Sequence, residues 1–208
     1  MRMLRRVTPL LLALVSVSGC ALGERPTLEA AAVVTDPATQ TVVDRLDRSP
    51  VVDFTATYAI TPSSAADSTI ATVSSDDGVT TTQIGDVVFT TDPAGNTTTC
   101  RTGGVECTDG ADDARVSNLG ITHRFWSSSA RQRLVTDAAR RIGTSTGTTD
   151  TIGGQAAVCV AIKLPSSIEA VGTVSYCALE QGILARYIGA DGTIELTSFD
   201  VAPTVSQP

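Results

Sequence analysis

The feature that most limits the fold is the run Val51–Ile60, where Val52, Phe54, Ala56, Tyr58 and Ile60 share one face at period two. Asp53, Thr55 and Thr57 lie opposite, so the segment reads as an antiparallel strand with one face buried and one wet. Further strands are predicted at 68–75, 78–84, 86–91 and 96–101. Asp77-Gly78, Gly85-Asp86 and Asp92-Pro93-Ala94-Gly95-Asn96 separate them, all residues that tolerate the dihedrals of tight turns. This is a meander of threonine-rich strands, each weak alone, that only sheet-wide packing can hold. Threonine and valine are plentiful while Glu, Lys and Leu are scarce, which favours strands over long helices.

Two helices interrupt the strands. Asp36-Pro37 is a helix start, because aspartate accepts orphan amide hydrogen bonds and proline fits the first helical position. Ala38, Val42, Val43 and Leu46 then form one apolar face over about 37–48, and Ser49-Pro50 ends it. The second helix is predicted over 127–142, after His123-Arg124-Phe125-Trp126. Ser127, Ser128 and Ser129 offer caps, and Ala130, Leu134, Ala138 and Ile142 form a stripe widened by Val135 and Ala139. Arg140 and Arg141 suit the negative helix end, and Gly143 can terminate it. The polar stretch 108–120 reads as a loop. After a Gly/Thr/Ser-rich connection the remainder reads as four strands, at 156–164, 173–179, 183–189 and 193–201, with 202–208 as a frayed tail.

The five cysteines are Cys20, Cys100, Cys107, Cys159 and Cys177. Setting Cys20 aside leaves four, the even number expected of two disulfides in an exported domain, with three pairings formally possible. The spacings suggest local pairs, Cys100 with Cys107 and Cys159 with Cys177. If 156–164 and 173–179 form a hairpin, positions summing to 336 face one another, which sets Cys159 opposite Cys177. Zinc is a poor alternative, with no C-x-x-C and a single histidine, His123.

The N-terminus reads as an export signal. Arg2, Arg5 and Arg6 precede an apolar run from Leu10 to Val15, and small residues follow near position 19. The apolar stretch is shorter than the roughly 20 residues that a bilayer span requires. Val17-Ser18-Gly19-Cys20 resembles the bacterial lipobox, which implies cleavage after residue 19 and a diacylglycerol on Cys20. The resulting layout is a signal at 1–19, a lipidated tether at 20–35 and one β-rich domain at 36–201. Removing the three leader arginines takes the formal net charge from −7 to −10. Such acidity argues against nucleic acid as a partner and against electrostatic attachment to anionic lipid.

No catalytic constellation is evident. His123 has no G-x-S-x-G partner, so a serine hydrolase is unsupported. Asp76-Asp77 and Asp112-Asp113 lack the alternating oxygens of a calcium loop and read as solvated turns. Gly153-Gly154 precedes a strand, not a helix, so a phosphate cradle is unsupported. The chain is read as non-enzymatic, with no metal and no cofactor. The most informative residues are Phe125, Trp126 and Leu134. They either dock the second helix on the sheet or line an apolar cavity between the two.

The order of lipobox, short helix, β-meander, central helix and closing antiparallel strands is similar to that of the LolA/LppX/LprG-like lipoproteins of bacterial envelopes. Gly153–Cys159 and Tyr176–Gly182 are similar to stretches in actinobacterial lipoproteins, and the bias of 14 Arg to one Lys fits that group. The resemblance implies an α+β fold: a mostly antiparallel curved β-sheet, an unclosed half-barrel, with two or three short helices packed on one face. It also implies a lipid or glycolipid ligand between sheet and helices, on the extracytoplasmic side of the cell membrane. A solid-cored, protein-binding sensor or scaffold of the envelope is the alternative.

Overall fold

The computed structural model describes residues 36–48, 50, 52–165 and 172–201. All lie within one compact unit, Ala32–Pro208. The leader, Cys20, the tether and the 202–208 tail fall outside the described residues.

Helix α1 runs Pro37–Leu46. Asp36 caps it: its Oδ1 accepts the Thr39 N–H at 2.9 Å and the Thr39 hydroxyl at 3.0 Å. Its Oδ2 accepts the Ser145 N–H at 3.1 Å, which ties the helix start to a distant segment. Val42, Val43 and Leu46 are buried at the predicted spacing.

Eleven strands follow. In the first half they are β1 (Phe54–Pro62), β2 (Thr69–Asp76), β3 (Val79–Ile84), β4 (Val87–Thr91), β5 (Thr97–Arg101) and β6 (Val105–Asp109). Helix α2 (Ser128–Ala139) separates them from β7 (Thr146–Ile152), β8 (Gln155–Lys163), β9 (Thr173–Leu179), β10 (Leu184–Gly189) and β11 (Gly192–Val201). They form one antiparallel sheet in the order β6-β5-β4-β3-β2-β1-β11-β10-β9-β8-β7. The first and last strands of the domain pair at its centre, and β6 and β7 are its open edges. This is the curved, unclosed half-barrel of an α+β fold.

Register explains the core. Val160, Tyr176, Tyr187, Ile194 and Ile60 are successive partners across β8, β9, β10, β11 and β1. Leu196, Tyr58, Ala71, Ile84 and Val87 form the next row. A third row, Phe199, Ala56, Val73, Thr82, Phe89 and Thr99, completes the covered face. Because partners share a face, the alternation in β1 propagates across the whole sheet.

Several expectations need correction. The 108–120 region is no simple loop: β6 occupies its start and a 3₁₀ helix covers Asp113–Leu119. The C-terminal half has five strands, because Thr146–Ile152 forms β7. Helix α2 ends at Ala139, so Ile142 lies beyond it, 55% exposed, with its N–H bonded to the Lys163 carbonyl at 2.8 Å. Ala139 is exposed too, while Asp137 is buried on the helix's inner side. Ser127 is the N-cap by position, yet its hydroxyl makes no capping bond.

Both local disulfides are present. Cys100 joins Cys107 at the β6 edge, and Cys159 joins Cys177 as direct register partners on β8 and β9. Gly182, in the β9–β10 turn at φ +83°, sits beneath the end of α1, where any Cβ would overlap the Arg48 carbonyl.

The cap makes a prediction. Asp36→Ala is expected to cost about 1–2 kcal/mol at neutral pH. Burial works to raise the Asp36 pKa, but the Thr39 and Ser145 amides and the Thr39 hydroxyl outweigh it and hold the carboxyl below its usual range. A depressed folded pKa gives stability that is full above the unfolded value, about 3.9, and lost as pH falls through the folded value. Urea unfolding should therefore show the gap between variant and parent at pH 7 and its narrowing at acid pH.

Candidate functional site

The chain leaves the sheet at one edge, after Asp109, and re-enters it at the other, at Thr146. Ten strand spacings of about 4.8 Å separate those edges along the sheet. Residues 110–145 therefore have to cross a face, and they cross the apolar one.

Local bonds fix the crossing. The Thr99 hydroxyl, fully buried, donates to the Gly110 carbonyl at 2.7 Å and accepts the Asp112 N–H at 2.9 Å. Asp112 pairs with Arg115, and Asp113 accepts the His123 N–H at 2.7 Å. These two aspartates are thus structural ties, not the solvated turn that the sequence suggests. His123 Nδ1 lies 3.0 Å from Asp113 Oδ1, and its ring stacks on Phe89 at 5.3 Å. Phe125 meets Tyr58 edge-on at 5.1 Å, and Trp126 meets Phe54 at 5.9 Å. The Trp126 carbonyl accepts the Leu184 N–H at 2.7 Å. Three aromatic contacts and one backbone bond thereby press the turn before α2 onto the sheet.

Beyond that turn α2 is held by polar groups among apolar ones. Ala130, Leu134 and Ala138 are buried beneath it. Asp137, buried, accepts the Tyr176 hydroxyl at 2.6 Å. Burial, then this bond, pushes the Tyr176 pKa far above its usual value. Burial alone does the same to Tyr58, whose hydroxyl donates to the Leu184 carbonyl at 2.9 Å. Arg133 stacks over the Tyr187 ring at 4.3 Å and pairs with Asp191 at 2.7 Å. Burial works to raise Asp191, but the Tyr187 hydroxyl and Arg133 outweigh it and hold the carboxyl low.

Two cavities on this face adjoin the turn before α2. The larger, about 460 Å³, is mixed, its lining polar and apolar in nearly equal measure: Phe54, Ser75, Thr80, Thr82 and Thr91 come from the sheet, and His123, Arg124, Trp126 and Arg131 from the crossing segment. The end of α1 contributes Arg48. The smaller, about 90 Å³, is mostly apolar, lined by Ile121, Phe125, Ala130, Leu184 and Ile194, with Tyr176 and Tyr187. Of the three residues singled out in the sequence, Trp126 lines the first cavity and Phe125 the second. Leu134, fully buried, lines neither.

The larger groove was not legible from the sequence. Thr80 and Thr82 sit at period two in a strand rich in threonine on both faces, so nothing marks which face turns inward. Among the described residues His123 and Asp113 do not make a hydrolytic triad, since Nε2 is buried with no hydrogen-bond partner there. Asp53 joins Asp76 and Asp77, with carboxylate oxygens within 4.8 Å of one another. The Asp77 N–H donates to Asp53 at 3.2 Å, an acidic turn with no further feature of a cation site.

No family model matches the chain, and neither does any curated protein sequence. Among solved structures it is similar to the MucA/MucB complex of Pseudomonas aeruginosa, at 13% identity and TM-score 0.43, over 80% of this chain. The chain spans 59% of that partner's length. It is also similar to a LolA superfamily protein from Nitrosomonas europaea, at 9% identity and TM-score 0.38, over 80% of this chain and 94% of that one. At TM-scores below 0.5 these likenesses carry no weight for function. The half-barrel rests on the sheet's own strand order and register.

Proposed function

We propose that this chain is an extracytoplasmic binding protein, anchored through a lipidated Cys20, that holds an amphiphilic, acylated molecule between its sheet and α2. One observation carries this: the covered face has a mostly apolar cavity and a larger one that adds arginines and hydroxyls, and the consecutive residues Phe125 and Trp126 line the first and the second. A molecule with an apolar and a polar end matches that pair. The apolar cavity, about 90 Å³, is below the roughly 300 Å³ usual for ligand sites. An acyl chain therefore enters only if α2 lifts from the sheet. The helix's inner side holds a polar bond, Asp137 to Tyr176, which can exchange partners with water as it lifts.

The test is direct. The full chain, purified from membranes, is extracted and read by mass spectrometry, and titrated with a fluorescent fatty acid. Co-purifying lipid and saturable binding are expected; the absence of both sinks the reading. Intact mass reports the anchor, as loss of residues 1–19 with acyl mass on Cys20.

The second reading is a protein-binding module of the envelope. The full burial of Leu134 and the near-full burial of Ala138 favour it, because the second half of α2 is packed directly on the sheet. Crosslinking in whole cells would then capture a defined protein partner while the extract holds no lipid.

A further inference from the structure

We propose that the larger groove is a headgroup site for a phosphate flanked by hydroxyls, the chemistry of a glycerol phosphate. This rests on the ligand-binding reading and names the end of the ligand which that reading leaves open.

Charge is the first argument. The groove holds Arg48, Arg124 and Arg131 against one carboxylate, Asp47, which pairs with Arg131. Two guanidinium groups are left over, in a chain whose formal net charge is −7. Among the described residues neither Arg48 nor Arg124 has an ion-pair partner, and both are exposed. A guanidinium fork matches phosphate oxygens bidentately. Ser127 and Ser128, at the start of α2, line the same groove, and the Ser127 hydroxyl makes no capping bond there.

Shape is the second argument. His123 and Trp126 line the groove, each held on the sheet by an aromatic contact, to Phe89 and Phe54. Their Nε2 and Nε1 atoms are shut off from the groove, so the polar groups that meet an occupant are the arginines and hydroxyls.

Size and floor agree. A volume of about 460 Å³ is ample for more than a lone phosphate and lies in the range of small-molecule sites. Ser75, Thr80, Thr82 and Thr91 line the sheet side with hydroxyls that donate or accept. Thr91 already pairs with Thr97, but an acyl chain here would cover the other hydroxyls and the two arginines without matching them.

The experiment is calorimetric titration of the full chain with monomeric dihexanoyl phosphatidylglycerol, dihexanoyl phosphatidylcholine and glycerol 3-phosphate. Phosphatidylglycerol should bind saturably, and phosphatidylcholine more weakly for lack of headgroup hydroxyls. The Arg48→Gln/Arg124→Gln double variant should bind phosphatidylglycerol about tenfold more weakly with its unfolding midpoint unchanged, since both side chains are exposed. Glycerol 3-phosphate binding as tightly as the lipid supports the site but assigns it to a soluble phosphate, overturning the lipid reading. No saturable binding of either glycerol phosphate, or binding indifferent to the double glutamine change, overturns the headgroup site. Lipid still co-purifying in that case would leave the parent reading standing.

Discussion

Replacing Cys159 and Cys177 together with alanine is expected to lower the stability of the oxidised chain by about 3 kcal/mol, the loop-entropy value for a closure of this length. The bond joins strands β8 and β9 across a sequence separation of 18. It lies between direct register partners, both almost fully buried. It therefore fixes the register of the β8–β9 hairpin. A one-residue slip would send Tyr176 to the opposite face, away from Asp137 and Tyr187. Cys100–Cys107 is a different case, closing a separation of only 7 at the edge strand β6 with both residues outside the core. Its removal should cost less and fray the edge locally. Urea unfolding of the two double variants checks the order, and an unchanged midpoint for Cys159→Ala/Cys177→Ala would contradict the argument.

That hairpin also shows what a sequence can reveal. The Cys159–Cys177 register follows from alternation and spacing, and so do the meander turns. Asp77 at φ 49°, Gly78 at 77°, Gly85 at 58° and Gly95 at 87° occupy the left-handed region where the turn residues stand. Strand β1 was legible because it is central, with a fully covered face. Strand β7 was not, because six of its seven residues are exposed and an edge strand has no buried face to impose alternation. Strand β6 is exposed throughout for the same reason. The end of α2 misled because Ile142 continues the apolar period that Asp137 interrupts. Only the tertiary partner, Tyr176, explains an aspartate buried there. The pairing of β1 with β11 lay beyond reach, since no local signal links residues 54 and 201. The larger groove is illegible on the same ground. Arg48, Thr82 and Arg124 are unremarkable apart, and three separate elements bring them to one cavity.

Leu134→Ala should cost about 3 kcal/mol or more, within the range of buried leucine truncations, and its consequence separates the two functional readings. Leu134 is fully buried at the middle of α2, flanked one turn away by Ala130 and Ala138. Its neighbours on the helix are too small to collapse into the space it leaves. The change therefore hollows the interface between helix and sheet while leaving the polar ties of Asp137 and Arg133 in place. An apolar hollow stays dry and accepts an apolar guest. If α2 normally lifts to admit an acyl chain, the variant begins with part of that opening made. Added fatty acid should then raise its unfolding midpoint more than it raises the parent's, because a ligand that binds only the folded state stabilises in proportion to its affinity. If the interface is a permanent solid core, the variant is destabilised and fatty acid recovers nothing in either protein. Thermal unfolding of parent and variant, each with and without fatty acid, distinguishes the two. A loss below about 1 kcal/mol would mean instead that α2 is docked loosely enough to close over the gap.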